Sequence, residues 1–155
     1  MAVNNEEIEI IVFSLLGEEL GLEVSYVREL LIPHEIHPLP RMPGFIDGVI
    51  DLRGHIIAVM DLRKKFNCKK RKLQQGKHVI ICKIKNIIVG LNVDSVNEIA
   101  VFSRTEIQPV PVVISKQTNS SYIAGIIRSG KRVITLLNLE EVLTNKEITG
   151  LIKVK

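Results

Sequence analysis

The sequence predicts an all-β protein with a few short helices. Isoleucine and valine together supply 40 of the 155 residues, whereas aromatic residues amount to 4% and tryptophan is absent. β-Branched side chains are stiff at χ1 and fit the pleated surface of a sheet. Turn residues also divide the chain into short apolar runs, as is typical of successive hairpins. A helical bundle is therefore disfavoured.

The N-terminal segment predicts a hairpin followed by a short helix. The apolar runs 8–16 and 20–24 flank a turn that starts at Gly17. Ser25 is a suitable N-cap, so we expect a helix over 26–31 that stops before the next proline.

A connector and a second hairpin come next. Residues 33–43 contain four prolines and predict an extended connector. Arg53 and Gly54 form a tight turn between two apolar runs, and Asp61 is placed to cap one helical turn. The strands are expected at 45–52 and 55–60, and the helical turn at 61–66.

The second half of the chain repeats the first. A shift of 69 positions places residues 11–30 on 80–99, and a shift of 77 places 48–66 on 125–143. The 8 additional residues fall within 97–124. Self-similarity of this kind indicates an internal duplication. The matched pairs include Gly21 with Gly90, Glu29 with Glu98, Gly48 with Gly125, and Asp61 with Asn138.

The duplication predicts two small β-barrels packed side by side. About five strands per copy are too few for an independent sandwich but suit a closed barrel, which also leaves no long free edge. We expect a single domain over residues 8–146, with the first barrel at about 11–75 and the second at about 76–146. Residues 147–155 would form a C-terminal tail.

Composition argues against secretion and membrane insertion. The most apolar stretch, 79–93, is interrupted by Lys83 and Lys85, and the N-terminus is acidic rather than basic. Cys68 and Cys82 form neither a CxxC pair nor a disulfide framework, so we expect reduced thiols and a cytoplasmic protein.

The positive charge is concentrated in one segment. The chain has a net charge of +4, but residues 63–72 alone contain seven basic residues and no acidic one. This segment motivates one alternative function, a basic β-barrel that binds nucleic acid. Binders of single strands combine such cations with several stacking aromatic residues, and here only Phe66 is present. We expect a solvated connector and no nucleic-acid partner.

Motifs of catalysis are absent from the sequence. There is no GxSxG nucleophile elbow, no GxxxxGK[ST] loop and no GxGxxG loop. His34 and His37 lie in the proline-rich connector without further ligands nearby, so no metal is expected. Cys82 alternates with Ile80 and Ile84 and predicts a buried structural thiol. We therefore expect no enzyme and no cofactor.

Arg53 is the residue that a structural role explains least well. A hairpin turn favours Asn, Asp or Gly, and it has no requirement for arginine. Arg53 could extend its side chain over its own barrel. Alternatively, it could anchor a protein partner, a role in which arginine is enriched.

Three segments resemble the CheW family, the chemotaxis coupling adaptors, over roughly residues 8–146. These segments are FSLLGEELGLEVSYVRELL, PLPRMPGFIDGVIDLRGHIIAVMDLRKKF and GLNVDSVNEI. The second is similar to the family's NLRG hairpin followed by DLR. Asp51 replaces the usual Asn, and Ala58 and Met60 replace the usual Pro and Val or Ile, but the Arg-Gly turn itself is intact.

The resemblance implies two five-stranded SH3-like barrels and no catalysis. It implies two partners, the regulatory domain of the histidine kinase CheA and the cytoplasmic hairpin tip of chemoreceptors. The chain would be cytoplasmic and recruited to receptor arrays, without inserting into the membrane. CheV-type adaptors and CheA itself carry further domains, for which we expect no room in this chain. The implied receptor- and kinase-coupling positions are Val27, Glu29, Gly48, Arg53, Gly54, Val79 and Ile99.

Overall fold

A computed structural model describes residues 6–32, 36–41, 44–65, 78–110 and 122–143. These residues form strands joined by tight turns and a few single-turn helices, which confirms the all-β class. In chain order the strands are β1 (Glu7–Leu15), β2 (Glu18–Glu23), β3 (Val27–Leu31), β4 (Ile46–Leu52), β5 (His55–Asp61), β6 (His78–Ile84), β7 (Ile87–Val93), β8 (Ser95–Ser103), β9 (Ile107–Gln108), β10 (Ile123–Ser129) and β11 (Arg132–Leu137). The helical turns are the 3-10 segments Val24–Tyr26 and Arg104–Glu106 and the α-helices α1 (Leu62–Lys65) and α2 (Leu139–Val142).

The strands form two sheets, one in each of two compact units. Unit 1 comprises the described residues of Met1–Tyr26 and Val96–Leu143, and its sheet has the strand order β8-β1-β2-β11-β10-β9. Unit 2 comprises those of Val27–Ser95, and its sheet has the order β3-β6-β7-β5-β4. Five strands were expected in each; the sixth strand of unit 1 is the two-residue β9.

The compact units are not the sequential halves expected at 11–75 and 76–146. The hairpin β1–β2 from the first half pairs with strands of the second half, and the hairpin β6–β7 from the second half pairs with strands of the first. Each unit is thus completed by a hairpin from the other copy of the repeat. Sequence similarity identifies the copies, but it does not determine which strands pair.

The register of the sheets supports the duplication. Parallel pairing of β2 with β11 places Leu20 opposite Thr135, and parallel pairing of β5 with β7 places Ala58 opposite Val89. The shifts of 69 and 77 positions convert one pair into the other. The two sheets therefore share one topology and one register.

The helix expected at 26–31 is wrong. The chain forms a 3-10 turn over Val24–Tyr26 and then the strand β3, which pairs antiparallel with β6. Local capping and propensity favoured the helix, but they are weak terms that pairing with a neighbouring strand overrides.

Each unit has its own apolar core, built mainly from β-branched residues. Ile10, Ile127 and Ile134 are fully buried in the core of unit 1, and Val59 and Val79 are fully buried in that of unit 2. Part of the isoleucine and valine surplus of the sequence therefore lies in these two clusters.

The predicted caps of the short helices are confirmed. Asp61 Oδ1 accepts from the backbone amide of Arg63 at 2.8 Å, and Asn138 Oδ1 accepts from that of Glu140 at 3.1 Å.

Most of the basic segment 63–72, and Cys68 with it, lies outside the described residues. Among the residues described, no helix is long and apolar enough to cross a membrane.

Candidate partner-binding site

The β4–β5 hairpin presents Arg53 at its turn. Arg53 and Gly54 have φ angles of +52° and +84°, the left-handed pair that a two-residue hairpin turn requires. The turn is fixed by a 2.9 Å hydrogen bond from the Gly54 amide to Asp51 Oδ1. The left-handed region costs a side-chain-bearing residue roughly 1 kcal/mol, and asparagine and glycine adopt it more readily. Turn formation therefore does not account for an arginine here.

Arg53 is paired with Glu29 of the edge strand β3. Its Nη2 donates to Glu29 Oε1 and forms an ion pair with it. The Arg53 side chain is 71% exposed and that of Glu29 28% exposed. The structure thus brings together three residues of the predicted site, Glu29, Arg53 and Gly54, although 24 positions separate the two charged ones.

The other predicted site residues occupy different environments. Val27 is half-buried at the start of β3, where a bulge precedes Glu29 in the pairing with β6. Gly48 is buried in β4, and Val79 is fully buried in the core of unit 2. Ile99 is 57% exposed on β8 and belongs to unit 1. Val27 and Ile99 are accessible to a partner, whereas Gly48 and Val79 lie behind the surface.

Exposed apolar side chains occur at corresponding places in the two units. In unit 2 they include Ile32, at 76% exposure, and Ile56, at 64%. The shift of 77 positions matches Ile56 with Val133 of unit 1, which is 48% exposed. Two positions beyond the matched segment, the shift of 69 places Ile32 on Val101, which is 45% exposed. Exposed apolar side chains that recur at matched positions are consistent with contact surfaces on both units.

Sequence reasoning missed a second ion-pair cluster, in unit 1. Arg132 Nε and Nη2 donate to the two carboxylate oxygens of Glu19 at 2.7 and 2.9 Å, and its Nη1 pairs with Glu98. Glu19 was interpreted as a turn residue, but it lies in β2. In the sequence, the repeat gave a signal for the role of Glu98, because it matches Glu98 with Glu29 of the predicted site.

The cluster changes the ionisation of its members. Hydrogen bonds from Arg132 hold the pKa of the Glu19 carboxyl below its ordinary value, and Asn97 adds a further bond at 3.1 Å. The same bonds to Glu19 and Glu98 raise the pKa of Arg132. Arg132 therefore links the strands β2, β8 and β11 as a permanently charged group.

Two observations on the described residues concern the predicted thiol and metal ligands. Cys82 is fully buried, as predicted, and burial raises the pKa of its thiol to about 12. A thiol with that pKa is a poor nucleophile at neutral pH. In the described part of the chain, no three His, Cys, Asp or Glu side chains are grouped so that they could hold a metal ion.

The buried ion pair between Asp61 and Arg63 in unit 2 has a structural role. Asp61 and Arg63 are buried, and the Arg63 guanidinium donates to both carboxylate oxygens of Asp61 at 3.1 and 3.3 Å. Arg63 Nη1 also pairs with Asp94 at 3.5 Å. This network satisfies the charges and anchors α1 to the end of β5.

Comparison with known proteins identifies the family. The family model of the CheW-like domain matches residues 9–147. The chain belongs to the CheW family. The extent of the match agrees with the resemblance found in the sequence, and it includes both units of the fold.

Relatives in the family are similar along nearly their full lengths. A chemotaxis protein CheW of Treponema pallidum is 28% identical over 97% of this chain and 91% of its own length. One from Rhizobium meliloti is 30% identical, over 90% of this chain and 89% of its own. The crystal structure of a CheW scaffolding protein from Thermoanaerobacter tengcongensis is 33% identical, with a TM-score of 0.79, and covers 90% of this chain and 94% of its own.

Proposed function

We propose that this CheW-family protein is a non-catalytic adaptor that couples chemoreceptor hairpin tips to the regulatory domain of the histidine kinase CheA. Membership of the family supports the assignment. The observation that carries it is Arg53, an exposed arginine in a left-handed turn conformation that is held in place by Glu29.

The proposed contact surface combines the accessible members of the predicted site. On unit 2, a partner would contact Val27, Glu29, Arg53 and Gly54. On unit 1, a partner would contact Ile99. Gly48 and Val79 would act through the fold, because both are buried. Apolar anchors beside an arginine and a polar rim are the usual composition of such interfaces.

Coupling would be thermodynamic. A receptor that contacts the adaptor differently in its two signalling states shifts the kinase equilibrium through those contacts, without chemistry in the adaptor. The protein would act in the cytoplasm, at the receptor arrays, and would need no cofactor.

Binding titrations test the proposal. A chemoreceptor hairpin fragment and the CheA regulatory domain are each titrated with the wild-type chain and with Arg53→Ala. We expect both partners to bind the wild type, and Arg53→Ala to bind the receptor fragment at least about tenfold more weakly while its melting temperature is unchanged. Equal receptor binding by a folded Arg53→Ala chain would contradict the assignment of Arg53.

The alternative, a nucleic-acid-binding barrel, has the basic segment 63–72 in its favour. It predicts an affinity for DNA or RNA that falls steeply with salt concentration. The adaptor proposal predicts no specific affinity of this kind, so the same titration with an oligonucleotide separates the two functions.

A further inference from the structure

In unit 1, an ion-pair network joins side chains from four strands. Arg132, at the start of β11, pairs with Glu19 of β2 and with Glu98 of β8. Asn97, which precedes Glu98 in β8, donates to Glu19 Oε2 at 3.1 Å and to Ser14 Oγ of β1 at 2.9 Å. In the sheet, β1 and β2 lie between β8 and β11. The network therefore ties the edge strand β8 to a strand that is not its neighbour.

The network lies on the face of the sheet that carries the core of unit 1. Side chains of a strand alternate between its two faces, so Ser14 shares a face with Val12, and Arg132 shares one with Ile134. Val12 and Ile134 are fully buried in that core. Glu19 lies directly opposite Ser14 on the neighbouring strand. The polar side chains thus continue the apolar core towards the hairpin turns.

Packing alone holds the first part of β8 weakly. Of the residues of Ser95–Ser103, only Phe102 is buried, and Ile99 and Val101 are 57% and 45% exposed. β8 is an edge strand of the described sheet, with β1 as its neighbour. A segment with few buried side chains opens locally at low cost. The side-chain ties at Asn97 and Glu98 therefore supply a constraint that burial does not.

We propose that Arg132 is a positioning residue of the partner-binding surface, which fixes β8 through Glu98 and thereby presents Ile99 to the partner of unit 1. The inference rests on the proposed adaptor function, in which Ile99 is the contact on unit 1. A contact residue on a strand that is already fixed loses less freedom on binding than one on a strand that opens and closes. Arg132 acts through β8, without touching the partner.

A double-mutant cycle between Arg132 and Ile99 tests the positioning role. The chemoreceptor hairpin fragment and the CheA regulatory domain are each titrated with Ile99→Ala, with Arg132→Gln and with the double variant. Ile99→Ala identifies which of the two contacts unit 1. Arg128→Gln is the matched control, because Arg128 is exposed on β10 and its substitution removes the same charge. Unfolding in urea verifies that every variant is folded.

We expect Ile99→Ala and Arg132→Gln each to weaken binding of the same partner about tenfold. Because Arg132 acts through the strand that carries Ile99, adding Arg132→Gln to Ile99→Ala should weaken binding by less than about threefold. Arg128→Gln should change binding only slightly. A full additional loss in the double variant would show that Arg132 acts independently of Ile99. That result, or wild-type affinity in a folded Arg132→Gln chain, would overturn the positioning role.

Glu98 tests the route from Arg132 to the strand. Glu98→Ala breaks the link to β8 and leaves Arg132 paired with Glu19. It should reproduce the loss of affinity and speed hydrogen exchange at the amides of β8 about tenfold. Glu98→Gln retains an acceptor for Arg132 and should recover part of both effects. Wild-type affinity and wild-type exchange in Glu98→Ala would contradict this route.

Failure of the inference can be told apart from failure of the proposed function. A wild-type chain that binds neither partner overturns the adaptor function itself. A wild-type chain that binds both partners, with an Ile99→Ala variant that binds both equally well, overturns the role of Arg132 and leaves the adaptor function standing.

Discussion

Gly48 packs against the backbone of His37 so closely that a β-carbon at position 48 would lie 2.3 Å from the His37 carbonyl oxygen. His37 of the connector forms an isolated antiparallel bridge with β4 at this point, through two hydrogen bonds of 2.9 Å between the backbones of His37 and Val49. Gly48 also has a φ angle of +155°. The repeat preserves the arrangement, since a β-carbon on Gly125 would lie 2.9 Å from the carbonyl oxygen of Gln108.

Gly48→Ala should therefore destabilise the fold. The new methyl group must displace the connector and break its two hydrogen bonds, which we expect to lower the free energy of unfolding by about 2–3 kcal/mol. Urea denaturation measures the change. Gly44→Ala is the matched control, because nothing lies within 4 Å of its β-carbon. Equal stability of the two variants would disprove the steric account.

The predicted partner role of Gly48 thus becomes an indirect one. Substitution there should impair partner binding by moving the connector, and hydrogen exchange at the amides of His37 and Val49 should speed up in Gly48→Ala.

Arg53→Asn should separate stability from function. Asparagine tolerates the left-handed turn better than arginine, and the exposed ion pair it removes contributes little, so unfolding free energy should stay within about 1 kcal/mol of the wild type. Binding of the receptor hairpin fragment should nevertheless weaken at least about tenfold, as for Arg53→Ala. A destabilisation well above that range would show that Arg53 serves the fold.

Val79→Ala should lower stability without weakening receptor binding, the opposite of what we expect for Arg53→Asn. Val79 is fully buried in the core of unit 2, and its truncation should lower the free energy of unfolding by about 2 kcal/mol. Receptor binding per folded molecule should be unchanged, as measured by titration well below the melting temperature. A large loss of affinity without loss of stability would show that Val79 contacts the partner directly.

Glu19→Gln should make stability less dependent on pH. Arg132 holds the pKa of Glu19 below its ordinary value of 4.5 in the folded chain. The ionised carboxylate therefore stabilises the fold fully above that value, and the contribution is lost as pH falls through the lowered pKa. We expect Glu19→Gln to cost about 0.5–1 kcal/mol at pH 7 and nothing at strongly acidic pH.

Urea denaturation at several pH values measures this difference. Glu18→Gln, at the exposed neighbouring position, is the control. A Glu19→Gln cost that stays constant from neutral to acidic pH would contradict the role of the Arg132 ion pair.

Local patterns in the sequence predicted the hairpins, the caps and the Arg53-Gly54 turn, because each depends on neighbouring residues. The duplication was also visible, through the matched glycines and the capping residues Asp61 and Asn138. The exchange of hairpins between the two copies was not, since it depends on strand pairing across the whole chain.

In the candidate site too, the sequence could identify a residue from its local pattern but not the contacts that depend on the fold. Arg53 was identifiable as a residue that the turn does not need, but its pairing with Glu29 depends on how β3 folds against the β4–β5 turn. The segment containing Glu29 was expected to be helical, which would have oriented that carboxylate differently. The burial of Val79 likewise depends on the pairing of β6 within the sheet.

The most direct test of the adaptor function is formation of a ternary complex. An immobilised chemoreceptor hairpin fragment is incubated with the CheA regulatory domain, with and without the chain, and the captured kinase domain is quantified. The wild-type chain should greatly increase capture of the kinase domain, whereas Arg53→Asn, although folded, should not. Equal capture with and without the wild-type chain would contradict the proposal that this protein couples receptor to kinase.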